Sequence, residues 1–314
     1  MSQSKKNNYP KVRQVNVTED EAGQRIDNFL ARYLKGVPKS HIYRILRRGE
    51  VRVNSGRIRA QYKVCAGDSV RIPPVRISES KPVNVPGINL EQYILFENPR
   101  LLVINKPSGI AVHGGSGLSY GMIEALRAER STAPYLELAH RLDRETSGCL
   151  VIAKRRSFLR AFHEQLQQGQ VKKVYLALVD GQWQGGKRTV DVALRKNQLR
   201  GGERMVSVDA DGKQAISIFR PVSVYRDSSL VEVELKTGRT HQIRVHGQYL
   251  GHPLAGDEKY GDEQFNRNMR VLGLRRMLLH AHMIEFVDPY NDETITVSSP
   301  LDENVRAVLD KLEA

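Results

Sequence analysis

The chain has 314 residues, 40% of them hydrophobic and 27% charged, which is the balance of a soluble globular protein with about two domains. No apolar run approaches the ~20 residues of a membrane span, and no apolar stretch typical of a secretory signal follows the first residues. Two cysteines are too few for a disulfide framework or a zinc site. We therefore expect a protein of the reducing cytoplasm.

Positive charge is concentrated at the N-terminal end of the chain. Lys and Arg number 49 against 35 Asp and Glu, a net charge of +14. Residues 1–80 contain 17 of the basic residues and 7 of the acidic ones, so this quarter alone carries +10. Such clustering indicates a module that binds a polyanion, joined to a nearly balanced remainder. A general solubility device is the alternative.

The N-terminal quarter is predicted to form a flexible basic tail, residues 1–14, and a small α+β domain, residues 15–74. Apolar residues recur at helical spacing over residues 26–34, and Ser40 is a plausible N-cap for a second helix that ends near Arg48. One side of that helix is apolar, and arginines occupy the other. Two short strand-like segments follow, at residues 51–54 and 68–72.

A proline-rich stretch, residues 75–90, reads as a linker to a second domain, residues 91–314. In that domain predicted strands greatly outnumber helices and do not alternate strictly with them, which favours an α+β fold. The predicted strands are Tyr93–Phe96, Leu101–Asn105, Cys149–Ala153, Lys173–Val179, Ala215–Arg220, Ser229–Lys236 and Met283–Phe286. The predicted helices are Met122–Glu129, Ser157–Gln167 and Glu303–Leu312.

The segment His140–Gly148, with the sequence HRLDRETSG, is the first candidate for chemistry. Asp143 lies in a nonperiodic stretch between two apolar runs, with Arg141 and Arg144 beside it. Reactive side chains are common in loops of this kind. The same residue types also suit a surface turn, and the segment alone favours neither interpretation.

A second candidate is Leu235–Asp257, which combines arginines and histidines with apolar residues. As a strand it would direct Arg244 and His246 to one face, where an arginine could meet a buried carboxylate in a fork-like pair. The spacing of His241, His246 and His252 matches no standard metal-ligand set. These histidines are therefore expected to form hydrogen bonds within the fold.

Two further segments are weaker signals. Asn105–Gly117 lacks the glycine spacing and the ending of a phosphate-binding loop. Val171–Gly181 reads as an apolar strand whose single aromatic residue, Tyr175, suits a core position. The sequence shows no nucleophile elbow and no thiol in a nucleophile context, which argues against acyl transfer.

Together these segments resemble the RluA family of RNA pseudouridine synthases, in order and in spacing. The N-terminal domain is similar to the RNA-binding module named after small-subunit ribosomal protein four. The motifs that carry the family resemblance are NKPSGIAVH, HRLDRETSG, KKVYLALV, TGRTHQIRVH followed by GHPLAGD, and RRMLLHA. The implied fold has a mixed, mainly antiparallel central sheet with a cleft.

The resemblance implies that a uridine in large-subunit (23S) ribosomal RNA is isomerised to its C-glycoside, pseudouridine. Asp143 matches the family's catalytic aspartate, which either attacks C1′ or removes the 2′ proton. Arg244 matches the arginine that pairs with it, and Tyr175 matches the tyrosine that stacks on the uracil and helps to remove the C5 proton. No step requires a cofactor or a metal.

The resemblance also implies how the RNA is held. The target base leaves its stack, and Arg141 matches the residue that enters the gap. Leu278 and Leu279 are expected to form an apolar floor beneath the base. The expected partner is large-subunit ribosomal RNA or its precursor particle, bound by a monomer. Phosphates are expected to contact basic residues of the N-terminal domain, namely Lys39, Arg44, Arg47, Arg48 and Arg59.

Three rival functions stay open on the sequence. The same chemistry could act on transfer RNA or another RNA. The chain could instead be a non-catalytic RNA-binding protein of ribosome assembly, although Asp143, Tyr175 and Arg244 are all intact. A nucleoside hydrolase would need a second carboxylate, for which Glu145 is the nearest choice.

Overall fold

A computed structural model describes residues 11–34, 37–75, 89–114, 120–133, 135–198 and 204–313. It divides into two compact units, Met1–Asn84 and Val85–Ala314. Within the described residues, no helix has both the length and the apolar character needed to cross a bilayer.

The first unit packs two helices on a four-stranded antiparallel sheet, in the strand order β1-β4-β2-β3. Its strand β1 starts inside the predicted tail 1–14, of which residues 1–10 lie outside the described part. The elements are β1 Arg13–Asn16, a 3-10 helix Glu19–Glu21, α1 Ile26–Tyr33, α2 Lys39–Arg47, β2 Arg52–Val53, β3 Gly56–Arg57 and β4 Ser69–Ile72.

Helix α2 is amphipathic, as its sequence predicts. Ile42, Ile45 and Leu46 are buried in the core of the unit, because apolar residues at this spacing share one helix face. The N-cap differs from the prediction: it is Pro38, without a side-chain cap, and Ser40 lies inside the first turn. Proline fixes φ at the residue before the helix, and the helix starts two residues earlier than predicted.

The second unit is built on one large mixed sheet in the order β10-β13-β14-β9-β15-β8-β6-β5, with β16 paired to β15 and β7 to β8. Its pairs are antiparallel except β8 with β15 among the described strands. This confirms the predicted α+β class. The strands are β5 Ile94–Glu97, β6 Leu101–Lys106, β7 Glu137–Leu138, β8 Ser147–Ala153, β9 Lys172–Asp180, β10 Arg188–Asp191, β13 Ile216–Val224, β14 Ser228–Leu235, β15 Leu279–Val287 and β16 Thr294–Ser298.

Helices cover the large sheet, and a separate two-stranded ribbon completes the unit. The ribbon pairs β11 Leu194–Gln198 with β12 Arg204–Val208. The helices are a 3-10 helix Leu90–Tyr93, α3 Met122–Glu129, α4 Arg156–Gln167, α5 Gln242–Tyr249, α6 Glu263–Leu272 and α7 Glu303–Glu313. Val75 and Leu90, the two end residues of the predicted linker 75–90, are buried, and its residues 76–88 lie outside the described part of the chain.

Strand β9 shows how the sheet separates two apolar layers. Tyr175, Ala177 and Val179 face one hydrophobic cluster, whereas Leu176 and Leu178 face the other, under α6 and α7. This alternation is the period of two that a pleated strand imposes. It places the Tyr175 ring on the face of the sheet where the cavity described below lies.

The segment around Arg244 is a helix, α5, and not the predicted strand. Two apolar residues spaced two apart, Ile243 and Val245, resemble a strand, but the chain turns sharply at His241 before them. The Gln242 side chain then accepts hydrogen bonds from the Arg239 N–H and the Thr237 hydroxyl, which closes the turn into the helix. Tertiary hydrogen bonds therefore override a short apolar pattern.

Candidate active site

Asp143 lies in the irregular loop between β7 and β8, on a support made by the NKPSG segment. Lys106 is fully buried, and its Nζ donates to the carbonyls of Pro107, Ile110 and Arg144 at 2.9, 2.7 and 3.0 Å. Burial lowers the pKa of this amine to about 7. These bonds tie the loop to the end of β6, so the segment holds the backbone beside Asp143 in place.

The far end of the loop is fixed by a close approach of β8 to β15. Gly148 has φ +104°, and a Cβ there would lie 2.3 Å from the Ala281 carbonyl oxygen. Only glycine suits both that backbone conformation and that space. Next to it, the Ser147 hydroxyl hydrogen-bonds to His280 Nδ1 at 2.9 Å. The TSG and LHA motifs therefore set the direction in which the loop leaves Asp143.

Arg244 is held rigidly by a carboxylate that sequence reasoning did not assign. Its Nε and Nη2 donate to Asp257 at 2.7 and 2.8 Å, the fork-like pair of an arginine with a buried carboxylate. The side chain of Asp257 has no exposed surface. Burial opposes both charges, yet the pair raises the pKa of Arg244 and lowers that of Asp257. The guanidinium is therefore charged and fixed in orientation.

The remaining nitrogen of Arg244 points to Asp143. Its Nη1 lies 3.7 Å from Asp143 Oδ2. The sequence predicted a direct pair between these two residues. The structure brings them together, but it gives the short bidentate contact to Asp257, so Arg244 approaches Asp143 as an already anchored cation.

Asp257 is positioned by its own loop. Its Oδ1 also accepts hydrogen bonds from the backbone N–H groups of Lys259 and Tyr260, at 2.9 and 3.1 Å. The preceding Gly256 has φ +74°, and a Cβ there would lie 2.3 Å from the Arg276 carbonyl. The one signal in the sequence was the GHPLAGD motif itself, which ends on this aspartate.

A cavity of about 620 Å³ lies beside Asp143 and is lined by Arg141, Tyr175, Arg244 and Leu279, among others. This size is typical of sites for small organic groups. Leu279 lies on β15 directly beside β9, which carries Tyr175. Leu278 does not line the cavity, and the prediction of a two-leucine floor is wrong for it: Leu278 lies just before the first residue of β15 and packs under α6.

Tyr175 offers its ring to the cavity as a neutral phenol. Burial, and then the negative charge of Asp143, raise the pKa of its hydroxyl well above the ordinary value. Ionisation of this group at neutral pH is therefore unfavourable. The geometry favours an apolar stacking surface over a free phenolate base.

The other predicted residues are placed as follows. Arg141 is exposed at the cavity, and Glu145 lies in an adjoining cleft of about 410 Å³ with its carboxylate bound by Arg144. The basic residues predicted to contact phosphate, Lys39, Arg44, Arg47, Arg48 and Arg59, are all exposed on the first unit. Among the residues that the structure describes, no group of three or more His, Cys, Asp and Glu side chains could hold a metal ion.

Comparison with known proteins defines the class of this fold and site. Residues 100–249 match the family model for RNA pseudouridylate synthase, and residues 24–70 match the S4 domain. The chain belongs to the RluA family of RNA pseudouridine synthases, which confirms the resemblance carried by its motifs.

Similar proteins are known from bacteria and from humans. The chain is 55% identical over 306 residues to the ribosomal large subunit pseudouridine synthase C of Pasteurella multocida, covering 96% of this chain and 94% of that protein. It is 52% identical over 310 residues to the protein of the same name from Escherichia coli K12, covering 96% and 97%. The solved structure of human RNA pseudouridylate synthase domain containing 4 aligns with a TM-score of 0.59 and 26% identity, over 71% of this chain and 94% of that one.

Proposed function

We propose that this enzyme converts uridines of large-subunit (23S) ribosomal RNA to pseudouridine. Family membership gives the reaction, and the names of the similar bacterial enzymes support the choice of RNA. The observation that carries the chemistry is the placement of Asp143 beside an anchored guanidinium at a cavity that contains an aromatic ring.

Asp143 is proposed to act at the ribose. The N1–C1′ bond breaks, the uracil turns and C5 bonds to C1′. The C5 proton leaves and N1 gains a proton, so the product has the same composition as the substrate. The carboxylate either adds to C1′ and is then displaced, or takes the 2′ proton and returns it. Both routes need a carboxylate oxygen at the sugar, and Arg244 steadies its negative charge from 3.7 Å.

Tyr175 and Leu279 are proposed to hold the uracil while it is detached from the sugar. Both line the cavity beside Asp143. A ring face and an aliphatic side chain bind a flat base without fixing its edge, so the base can turn between cleavage and rejoining. The stacking role of Tyr175 does not depend on its ionisation.

The RNA is proposed to be held by exposed cations while the target base leaves its stack. Extrusion of a base costs a few kcal/mol, and we propose that Arg141, which is exposed at the cavity, fills the gap. The basic face of α2 supplies phosphate contacts without sequence choice. The side chains of the site all come from one chain, namely Asp143, Arg244, Asp257 and Tyr175. We therefore infer a monomer, which light scattering of the purified protein tests. We also infer that the enzyme is active in the cytoplasm.

Product analysis after incubation with RNA transcripts tests this proposal. Large-subunit ribosomal RNA, small-subunit ribosomal RNA and transfer RNA would each be treated, digested to nucleosides and separated. We expect pseudouridine in the first, with no free uracil. Free uracil would indicate a hydrolase, modification of transfer RNA alone would overturn the assigned substrate, and binding without any new nucleoside would indicate an assembly factor.

A further inference from the structure

His241 lies between Asp143 and the start of α5 in an unusual backbone conformation. Its φ and ψ are 54° and 20°, the left-handed region that residues other than glycine rarely adopt. Its Nε2 lies 3.9 Å from Asp143 Oδ2, and its side chain is 15% exposed. Strained residues of this kind gather at functional sites, where the surrounding structure holds them.

The hydrogen bonds of Tyr260 and the charge of Asp143 together favour one tautomer of His241. The Tyr260 hydroxyl accepts from the Val206 backbone N–H at 2.9 Å and lies 2.8 Å from His241 Nδ1. A hydroxyl has one proton to donate, and burial raises the pKa of Tyr260, so that proton stays on its oxygen. The hydroxyl is then available to donate to Nδ1. With the ring proton on Nε2, the imidazole presents a donor, and not a repelling lone pair, to the carboxylate of Asp143.

The imidazole is neutral in this arrangement. Burial lowers the pKa of His241 below its ordinary value, an effect that the nearby Asp143 only partly opposes. His241 therefore offers a donor to the carboxylate without adding a second full positive charge beside Arg244.

We propose that His241 is a positioning residue for Asp143, and that Tyr260 fixes it in the tautomer that can donate. The inference rests on the proposed function, since it assigns a role within that reaction. His241 Nε2 and Arg244 Nη1 both approach the same carboxylate oxygen, Oδ2, at 3.9 and 3.7 Å. Oδ1 is then the oxygen proposed to act on the ribose. Both distances exceed that of a hydrogen bond, so the proposal requires each contact to shorten when RNA binds.

A matched pair of substitutions tests this role. His241→Gln places an amide nitrogen near the position of Nε2, whereas His241→Asn places one near Nδ1, within reach of Tyr260 but not of Asp143. Asparagine adopts the left-handed region more readily than glutamine. A loss of stability alone would therefore slow His241→Gln more than His241→Asn, which is the opposite of the order expected from the proposed role. The rate is measured in single turnovers at saturating RNA, as tritium released from C5-labelled uridine.

We expect His241→Asn to slow the reaction about tenfold to hundredfold, the loss of one hydrogen bond to a charged group. His241→Gln should lose less than about fivefold, and the Kd for RNA should be unchanged in both. Tyr260→Phe should slow the wild type but add nothing to His241→Asn, because the two act through one path. Tyr249→Phe, an exposed tyrosine of α5, is the control.

Two results would overturn the inference. One is equal rates for His241→Asn and the wild type, and the other is a loss of rate in both variants that follows a matching loss of folded protein. Neither touches the proposed function, since the wild-type protein would still form pseudouridine. If the wild type forms none, the proposed function fails first.

Discussion

Removal of the buried charge that anchors Arg244 should weaken the second unit markedly. Asp257→Asn keeps the size of the side chain but places an amide against a guanidinium that now lacks its counter-charge. Asp257 accepts four hydrogen bonds and its side chain has no exposed surface. Loss of one partner of such a pair costs about 3–5 kcal/mol. For a domain of this size that is a fall in Tm of about 6–20 °C.

The fluorescence of Trp183 provides the assay. It is the one tryptophan of the sequence and is buried in the second unit, so its signal in urea follows that unit alone. Glu258→Gln is the matched control, because that carboxylate is the next residue and is 86% exposed. The control should stay within about 0.5 kcal/mol of the wild type. An equally small change for Asp257→Asn would refute the anchoring argument.

The Arg244–Asp257 pair also predicts how the free energy of unfolding depends on pH. The pKa of Asp257 is lowered in the folded protein, so the unfolded chain binds more protons as acid is added. The stabilisation from the ionised Asp257 carboxylate is complete above the pKa of the unfolded chain, about 3.9, and is lost as the pH falls through the pKa of the folded protein. The difference in unfolding free energy between wild type and Asp257→Asn should therefore shrink below about pH 4. A constant difference down to pH 2 would contradict the assignment.

Three further changes test other parts of the account. Gly148→Ala should destabilise the second unit by about 2–4 kcal/mol in the Trp183 assay, because its Cβ would meet the Ala281 carbonyl. Lys106→Met keeps the apolar stem but removes the ammonium donor from three carbonyls, of which that of Arg144 also accepts from the Gly109 N–H, so stability and the rate of pseudouridine formation should both fall; unchanged values would remove the supporting role of this lysine. Glutamine at three basic positions, two in α2 and one at its C-cap, should weaken RNA binding and reduce the slope of log affinity against log salt by about 2, with the rate at saturating RNA unchanged. Those positions are Arg44, Arg47 and Arg48.

Elements with a long or regular apolar pattern could be predicted from the sequence. Helix α3 begins and ends where its pattern predicts, at Met122 and Glu129, and β8 contains the whole apolar run Cys149–Ala153. Helix α5 could not, because two apolar residues fit a strand as well as a helix. The turn at His241 and the bonds of Gln242, which decide between them, exist only in the folded chain.

Some residues of the site could also be predicted from the sequence, and others could not. Asp143, Tyr175 and Arg244 were identified from motifs, and the structure places all three at one cavity. Asp257 was missed because it meets Arg244 only after the chain has folded back thirteen residues later. Leu278 was placed wrongly because the RRMLLHA motif does not show where the strand begins; β15 starts at Leu279, and Leu278 before it packs under α6.

The central claim is that the carboxylate of Asp143 performs the chemistry on the ribose. Asp143→Asn keeps the shape of the side chain and removes its charge, so the most direct measurement is pseudouridine formed in a single turnover with this variant saturated by large-subunit RNA. We expect the wild-type Kd and no detectable product. Product at any rate above the background without enzyme would contradict the claim.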